Sequence, residues 1–180
     1  MDVLIIITGS VAAYKSLEVI RELKRRKYNL HCVLSSSGER FITPLSVSAL
    51  SGTHTYTEQD AFEENENMKH ISLSRNVDLI LVAPASANII GKVAHGICDD
   101  LPTTILMAAN KPVIMAPAMN TVMWNSNPMA RNLEILKQDN VHIIEPEWGV
   151  LACGEAGLGK MASVPTIVDF VEGLAASSKT

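Results

Sequence analysis

Cysteine is scarce and poorly placed for cross-linking: Cys32, Cys98 and Cys153 are odd in number, far apart and contain no C-x-x-C. This argues against a disulfide framework, and free thiols suit a reducing cytosol. The five histidines show no ligand spacing, so no metal site is expected. Charge is thin at 19% of residues, below the roughly one quarter of an average domain. With a net charge of −4, the chain lacks the basic face that nucleic acid demands. One basic run, Lys24-Arg25-Arg26-Lys27, falls where a first helix should end, and dipole complementarity with a solvated face accounts for it. Long apolar runs are missing too. Nothing approaches the roughly 20 residues needed to span a bilayer. The apolar run at 3–7 has no basic residue before it and Gly9-Ser10 directly after, which argues against a signal peptide. The expectation is a soluble, cytoplasmic protein with neither membrane nor nucleic-acid partners. Its 180 residues, 47% hydrophobic, suit one domain over 1–180 with a true core.

What is present is a rhythm. Short apolar runs at 3–7, 30–34, 79–83, 113–116 and 141–144 are continuous rather than alternating, as strands buried on both faces should be. Helical spacing fills the intervals at 10–27, 88–96, 101–109 and 128–139, and 166–176 closes the chain. Alternation of this kind predicts a doubly wound α/β sandwich on a parallel sheet. Two stretches break the rhythm. The acidic 58–67 reads as an exposed loop, and 145–161, with four glycines and little periodicity, reads as a functional lid.

Open α/β sheets bind ligands beyond the carboxyl ends of their strands, so the residues just after each run are the candidates. After the first comes Thr8-Gly9-Ser10-Val11-Ala12-Ala13, a small-residue turn that could offer backbone N–H groups to a phosphate, or else present Ser10 as an ordinary helix cap. It matches neither G-x-G-x-x-G nor a P-loop, so no dinucleotide or nucleoside triphosphate is indicated. Ser35-Ser36-Ser37-Gly38 could hold a phosphate or ribityl chain, or be a plain turn. Ser86 and Asn88, in Pro84-Ala85-Ser86-Ala87-Asn88, have a capping turn as their default reading. Asn120, in Pro117-Ala118-Met119-Asn120, can donate to a carboxylate without carrying charge, or cap a helix. His70 titrates near neutral pH, as a general base should, although a lone histidine is more often structural. Cys153, inside the glycine-rich segment, is a plausible proton donor if that segment moves.

Taken in order, Gly9 through Lys15, His70, Pro84 through Asn88, Pro117 through Asn120 with Met123-Trp124, and Ala152-Cys153-Gly154-Glu155 with Gly159-Lys160-Met161 resemble the homo-oligomeric flavin-containing cysteine decarboxylases. The resemblance implies a flavodoxin-like (Rossmann-like) three-layer sandwich that binds FMN and assembles as trimers, in some members as dodecamers, with sites between protomers. It implies flavin contacts from Gly9, Ser10, Val11, Ser35, Ser37, Ser86, Ala87, Asn88 and Ala118. It makes His70 the base, Asn120 the carboxylate ligand and Cys153 the proton donor. The clamp at about 145–161 would offer Leu151, Ala152, Lys160 and Met161 to the substrate.

The implied chemistry has a physical rationale. Direct loss of CO₂ from a cysteine leaves an unstabilised carbanion, whereas prior oxidation of CH₂–SH lets the electrons spread towards sulfur. Cys153 separates two branches of the resemblance. Peptidyl-cysteine enzymes, similar at 84–88 and 96–99, stop at the enethiol and need no such cysteine. Its presence favours the branch acting on phosphopantothenoylcysteine in coenzyme A synthesis. A non-catalytic flavin-binding regulator is the other alternative, and the C-terminal Ser177-Ser178-Lys179-Thr180 lacks the acidic tail typical of one. Ile89, His95 and Lys160 depart from the common Thr, Asn and Arg of the family. Lys160 therefore cannot bind phosphate bidentately.

Overall fold

The continuous apolar runs form a parallel sheet because both of its faces are covered. The computed structural model describes residues 1–62 and 69–177. Strands β1 (Asp2–Ile7), β2 (Asn29–Leu34), β3 (Thr55–Tyr56), β4 (Leu79–Ala85), β5 (Val113–Pro117) and β6 (His142–Ile143) lie in the order β3-β2-β1-β4-β5-β6. Every pairing is parallel. Alternate residues of each strand feed two cores. Val3, Ile5 and Ile7 point with Leu30, Cys32 and Leu81 to one face. That face is covered by α1 (Ala13–Arg25), α2 (Pro44–Ser51) and α8 (Val164–Ser177). Leu4, Ile6, Ile80 and Val82 face the other way. Against them pack α3 (Lys69–Arg75), α4 (Ala87–Ala94), α5 (Leu101–Met107) and α7 (Asn127–Gln138). Among the described residues no helix is long and apolar enough to cross a membrane.

The strand order turns between β1 and β4, the switch point at which a doubly wound sheet opens a crevice. One irregularity sits on that edge. The register of β4 on β5 shifts between Val82 and Ala85, so β4 carries one residue more than its partner there.

Several expectations need correction. The first helix begins at Ala13, not Ser10, and Ala12 is its N-cap. The Ser10 hydroxyl instead accepts from Ala12 N at 3.2 Å, within the turn. The stretch read as an exposed acidic loop begins with a 3-10 turn, Glu58–Phe62. There Asp60 is buried, accepting from Thr57 N at 2.6 Å, and both Glu58 carboxylate oxygens accept from Leu101 N at 3.0 Å. Residues 63–67 of that stretch lie outside the described residues.

The segment read as an irregular lid contains an antiparallel hairpin, β7 (Glu147–Val150) with β8 (Ala156–Lys160), and it is docked. Met119 N donates to Gly159 O at 3.0 Å, and Ser163 N donates to the Glu147 carboxylate at 2.7 Å. A short helix, α6 (Thr121–Trp124), lies against β8. Gly157 and Gly159 make that approach possible: a Cβ would fall 2.4 Å from Thr121 Oγ1 at the first and 2.3 Å from Met119 O at the second.

Candidate functional site

The carboxyl ends of β1, β2, β4 and β5 open onto one cavity of about 910 Å³, at the upper end of ordinary ligand pockets. Its floor is where two loops meet. Ser35 N donates to Ile7 O at 3.0 Å, which ties the turn after β2 to the end of β1, and Gly38 N donates to Ser35 Oγ at 3.0 Å within that turn. A Cβ on Gly9 would sit 2.5 Å from Ser37 Cβ, so glycine is what lets the two loops close on each other. Among the described residues, the backbone N–H groups of Gly9, Ser10, Val11, Ser36 and Ser37 donate to no protein acceptor. Five free donors converging from two loops make an anion cradle.

A second wall is the start of α4. Ser86 caps it, accepting from Ile89 N at 3.4 Å, so the default reading of that residue holds even as it lines the cavity. The first-turn N–H groups of Ala87 and Asn88 have no intrahelical acceptor, and Asn88 is exposed beside them. Ala118 and Met119 carry the wall across the end of β5.

Further along the lining, Asn120 spends one half of its amide on a helix cap and leaves the other half free. Its Oδ1 accepts from Met123 N at 2.8 Å as the N-cap of α6. The NH₂ has no partner among the described residues, so a ligand meets a pure donor. Opposite stands the tip of the hairpin. Leu151 N donates to Glu155 O and Gly154 N to Leu151 O, at 2.8 and 2.9 Å, which closes a tight turn presenting exposed Cys153 to the cavity. The other thiols differ: Cys98 is exposed but away from the cavity, and burial pushes Cys32 up to about 12.

The structure thus gathers Gly9, Ser10, Val11, Ser35, Ser37, Ser86, Ala87, Asn88, Ala118, Asn120, Leu151, Ala152, Cys153, Lys160 and Met161 around one space. Met161 does so as a nearly buried core residue, a floor and not a reaching arm. The His70 side chain lies outside the described residues.

Sequence reading missed Lys15, which also lines the cavity. Burial and then the neighbouring Lys160 hold its amine below the usual lysine range, partly offset by Glu147 and Glu18. Its signal was present: it is the last residue of the turn-and-helix stretch that began at Gly9. The Lys92–Asp100 ion pair, 2.7 Å, forms another unforeseen part of the wall, and its spacing of eight residues across a turn gave no local cue.

Comparison with known proteins agrees with this geometry. The family model described as Flavoprotein matches residues 1–176. The probable phosphopantothenoylcysteine decarboxylase of Streptococcus mutans is 34% identical over 172 residues, covering 94% of this chain and 96% of the relative. The coenzyme A biosynthesis bifunctional protein CoaBC of Bacillus subtilis is 41% identical over 173 residues, or 95% of this chain, but the chain spans only 42% of that protein's length. Among solved structures, a cysteine-to-serine variant of PPC decarboxylase complexed with pantothenoylaminoethenethiol superposes with a TM-score of 0.90 at 34% identity, covering 97% of this chain and 98% of that one. The FMN binding protein AtHal3 gives a TM-score of 0.86 at 35% identity, with 98% and 97% covered. Sequence, fold and site geometry agree: the chain belongs to the Flavoprotein family.

Proposed function

We propose that this chain carries out the FMN-dependent decarboxylation of (R)-4'-phospho-N-pantothenoylcysteine to 4'-phosphopantetheine, in the cytoplasm, as a step of coenzyme A biosynthesis. The observation that carries the reading is one cavity whose lining combines a bank of free backbone N–H groups with a donor-only amide and an exposed thiol. The chain's similarity to a decarboxylase along almost its whole length supports it.

FMN fits the residues present. Its single phosphate suits the cradle of Gly9, Ser10, Val11 and Ser35 to Ser37, and its ring system suits the walls at Ser86, Ala87, Asn88 and Ala118. When bound, FMN supplies reversible two-electron oxidation of the substrate's CH₂–SH group. The protein's own part is positional and acid–base. The Asn120 amide donates to the substrate carboxylate and fixes the C–CO₂ bond. Cys153 delivers a proton from the hairpin, Leu151, Ala152 and Lys160 cover the substrate from the same hairpin, and Met161 floors it. His70 acts as the base that takes the initial proton, an assignment supported by the sequence resemblance alone.

The exposed apolar residues support self-association into a trimer, alone or within a dodecamer. Val11, Tyr14 and Val150, 55%, 55% and 71% exposed, line the cavity mouth itself, where a second copy would complete the enclosure. The test is direct. Purified protein supplied with FMN and phosphopantothenoylcysteine should release CO₂ and saturated 4'-phosphopantetheine, identified by mass. Protein that takes up no FMN, or that converts a cysteine-ended peptide but not this substrate, overturns the proposal. A monomer by light scattering overturns the assembly.

A further inference from the structure

The two sides of the cavity belong to different strands on either side of the switch point, and their relative position must be fixed by something. The five free N–H groups hang from β1 and β2, whereas Ser86, Ala87 and Asn88 follow β4. Beyond Val82, β4 leaves regular register, so Ala83 and Pro84 are not placed by paired residues of the β5 ladder. Pro84 has no N–H to offer in any case.

Two buried hydroxyls fill that gap. Thr8, 3% exposed, donates from Oγ1 to Pro84 O at 2.7 Å and accepts on the same oxygen from Ser86 N at 3.0 Å. Ser16, fully buried on the inner face of α1, donates from Oγ to Ala83 O at 2.7 Å. Ala85 O is taken by Ala118 N at 3.1 Å. Three successive carbonyls of the irregular segment therefore have three separate donors, two of them hydroxyls, one from the β1–α1 connection and one from α1 itself. The residue next to Thr8 is Gly9, the first member of the anion cradle, and the residue held through its N–H is Ser86, the cap of α4. Among the described residues, no other hydrogen bond joins the β1–α1 turn to Ser86.

We infer that Thr8 and Ser16 are positioning residues for the flavin site, a latch across the switch point that sets the spacing between the phosphate cradle and the α4 wall. The inference rests on the flavin reading above. A hydroxyl is required and not merely bulk. Valine at position 8 keeps the shape but leaves Pro84 O and Ser86 N without partners, and Ser86 then settles elsewhere. Ser16 acts one step further from the wall, so its removal disturbs the spacing less.

The test is titration of apoprotein with FMN, followed by flavin fluorescence and the visible band of the bound flavin, alongside the thermal midpoint of the apoprotein. Thr8→Val should bind FMN about 10- to 100-fold more weakly, and Ser16→Ala a few-fold more weakly, with the visible band of bound flavin altered in Thr8→Val. Thr8→Ser, which restores the hydroxyl, should return both affinity and band towards wild type. Folded Thr8→Val and Ser16→Ala with wild-type affinity and spectrum overturn the latch, even if their midpoints fall, since that pattern is bulk stability alone. A Thr8→Ser as weak as Thr8→Val overturns it too. If Thr8→Val does not fold, Ser16→Ala against wild type decides by the same readouts. Wild-type apoprotein that binds no FMN would sink the flavin reading itself, a result distinct from any of these.

Discussion

Replacing Gly159 by alanine should release the hairpin without unfolding the domain. Gly159 has φ +137°, where a side chain is strained whatever the space, and its added Cβ would lie 2.3 Å from the Met119 carbonyl oxygen. Backbone strain of this kind costs about 1–3 kcal/mol. Forcing a methyl into a filled contact costs a further ~1–3 kcal/mol, and here the neighbour is backbone, with little room to give. Against that total of about 2–6 kcal/mol stand the Met119–Gly159 hydrogen bond, worth about 1 kcal/mol, and the packing of β8 on α6. A two-stranded hairpin paired only with itself has little other support, so the hairpin leaves before the sheet does.

The assay is amide exchange at Met119 with turnover and FMN affinity measured on the same sample. Protection at Met119 should be lost, turnover should fall sharply because the hairpin that carries Cys153 is no longer docked at the cavity, and FMN should still bind. Gly154→Ala is the control: φ is +86°, but nothing lies within 4 Å of the new Cβ, so only local strain in the turn is added and Met119 stays protected. Retained protection and turnover in Gly159→Ala would refute the reasoning, and so would loss of the whole fold.

Asn120→Asp preserves an N-cap acceptor for Met123 N but replaces the NH₂ donor with a second negative charge, costing about 2–5 kcal/mol in a desolvated site. Decarboxylation should be largely lost with FMN retained, and near-normal turnover would end the assignment. Cys153→Ser should still decarboxylate but stall at a product two hydrogens lighter, since a serine hydroxyl is a far weaker acid than a cysteine thiol. Saturated phosphopantetheine in the mass spectrum would show the thiol to be mere packing.

Lys15→Met should raise the apoprotein's thermal midpoint at pH 7. Burial and Lys160 lower the folded amine's pKa, so the charged form opposes folding below that pKa, an effect that fades as pH rises towards 10.5. Glu22 is held at about 2 by hydrogen bonds from Arg25 and Arg26. The stability it adds is present above the ordinary 4.5 and is lost as pH falls through 2, so urea midpoints of wild type and Glu22→Gln should converge at the acid end.

The strands that could be read from sequence are those buried on both faces. Leu4 to Ile7 and Ile80 to Val82 have no exposed residue to break the run, so β1 and β4 announce themselves. β6, half-exposed at the sheet edge, shrinks from four expected residues to His142–Ile143, and β3, two residues long, offers no run at all. Helix α2 buries only Val47 and Ser51, which leaves no apolar stripe to find. Its boundaries were legible all the same: Thr43 caps it, Pro44 opens it and Gly52 ends it in the left-handed region. The hairpin was missed for another reason. Along β8 the buried positions of a strict alternation are Gly157 and Gly159, so the inward face has no side chains and hydrophobicity cannot register it. Position 157 must be small because Thr121 fills the space, and position 159 must be small because Met119 does.

The strand-end residues singled out from the sequence line one cavity, because an open α/β sheet places its crevice beyond the carboxyl ends of its strands. The structural alternatives attached to Ser86 and Asn120 hold as helix caps, and neither takes its residue out of the cavity lining. A helix cap engages one lone pair of a short polar side chain. In Asn120 that is Oδ1, and the amide NH₂ on the same carbon is left pointing at whatever approaches the helix from outside. In Ser86 the cap uses Oγ while its own N–H is spent on Thr8, which makes the residue the joint between latch and wall. A cap at the end of a buried strand therefore stands where the helix dipole, the orphan N–H groups and the crevice coincide. What sequence could not supply was Thr8, whose partner lies 76 residues away and whose hydroxyl, next to Gly9, looks like one more small residue in a turn.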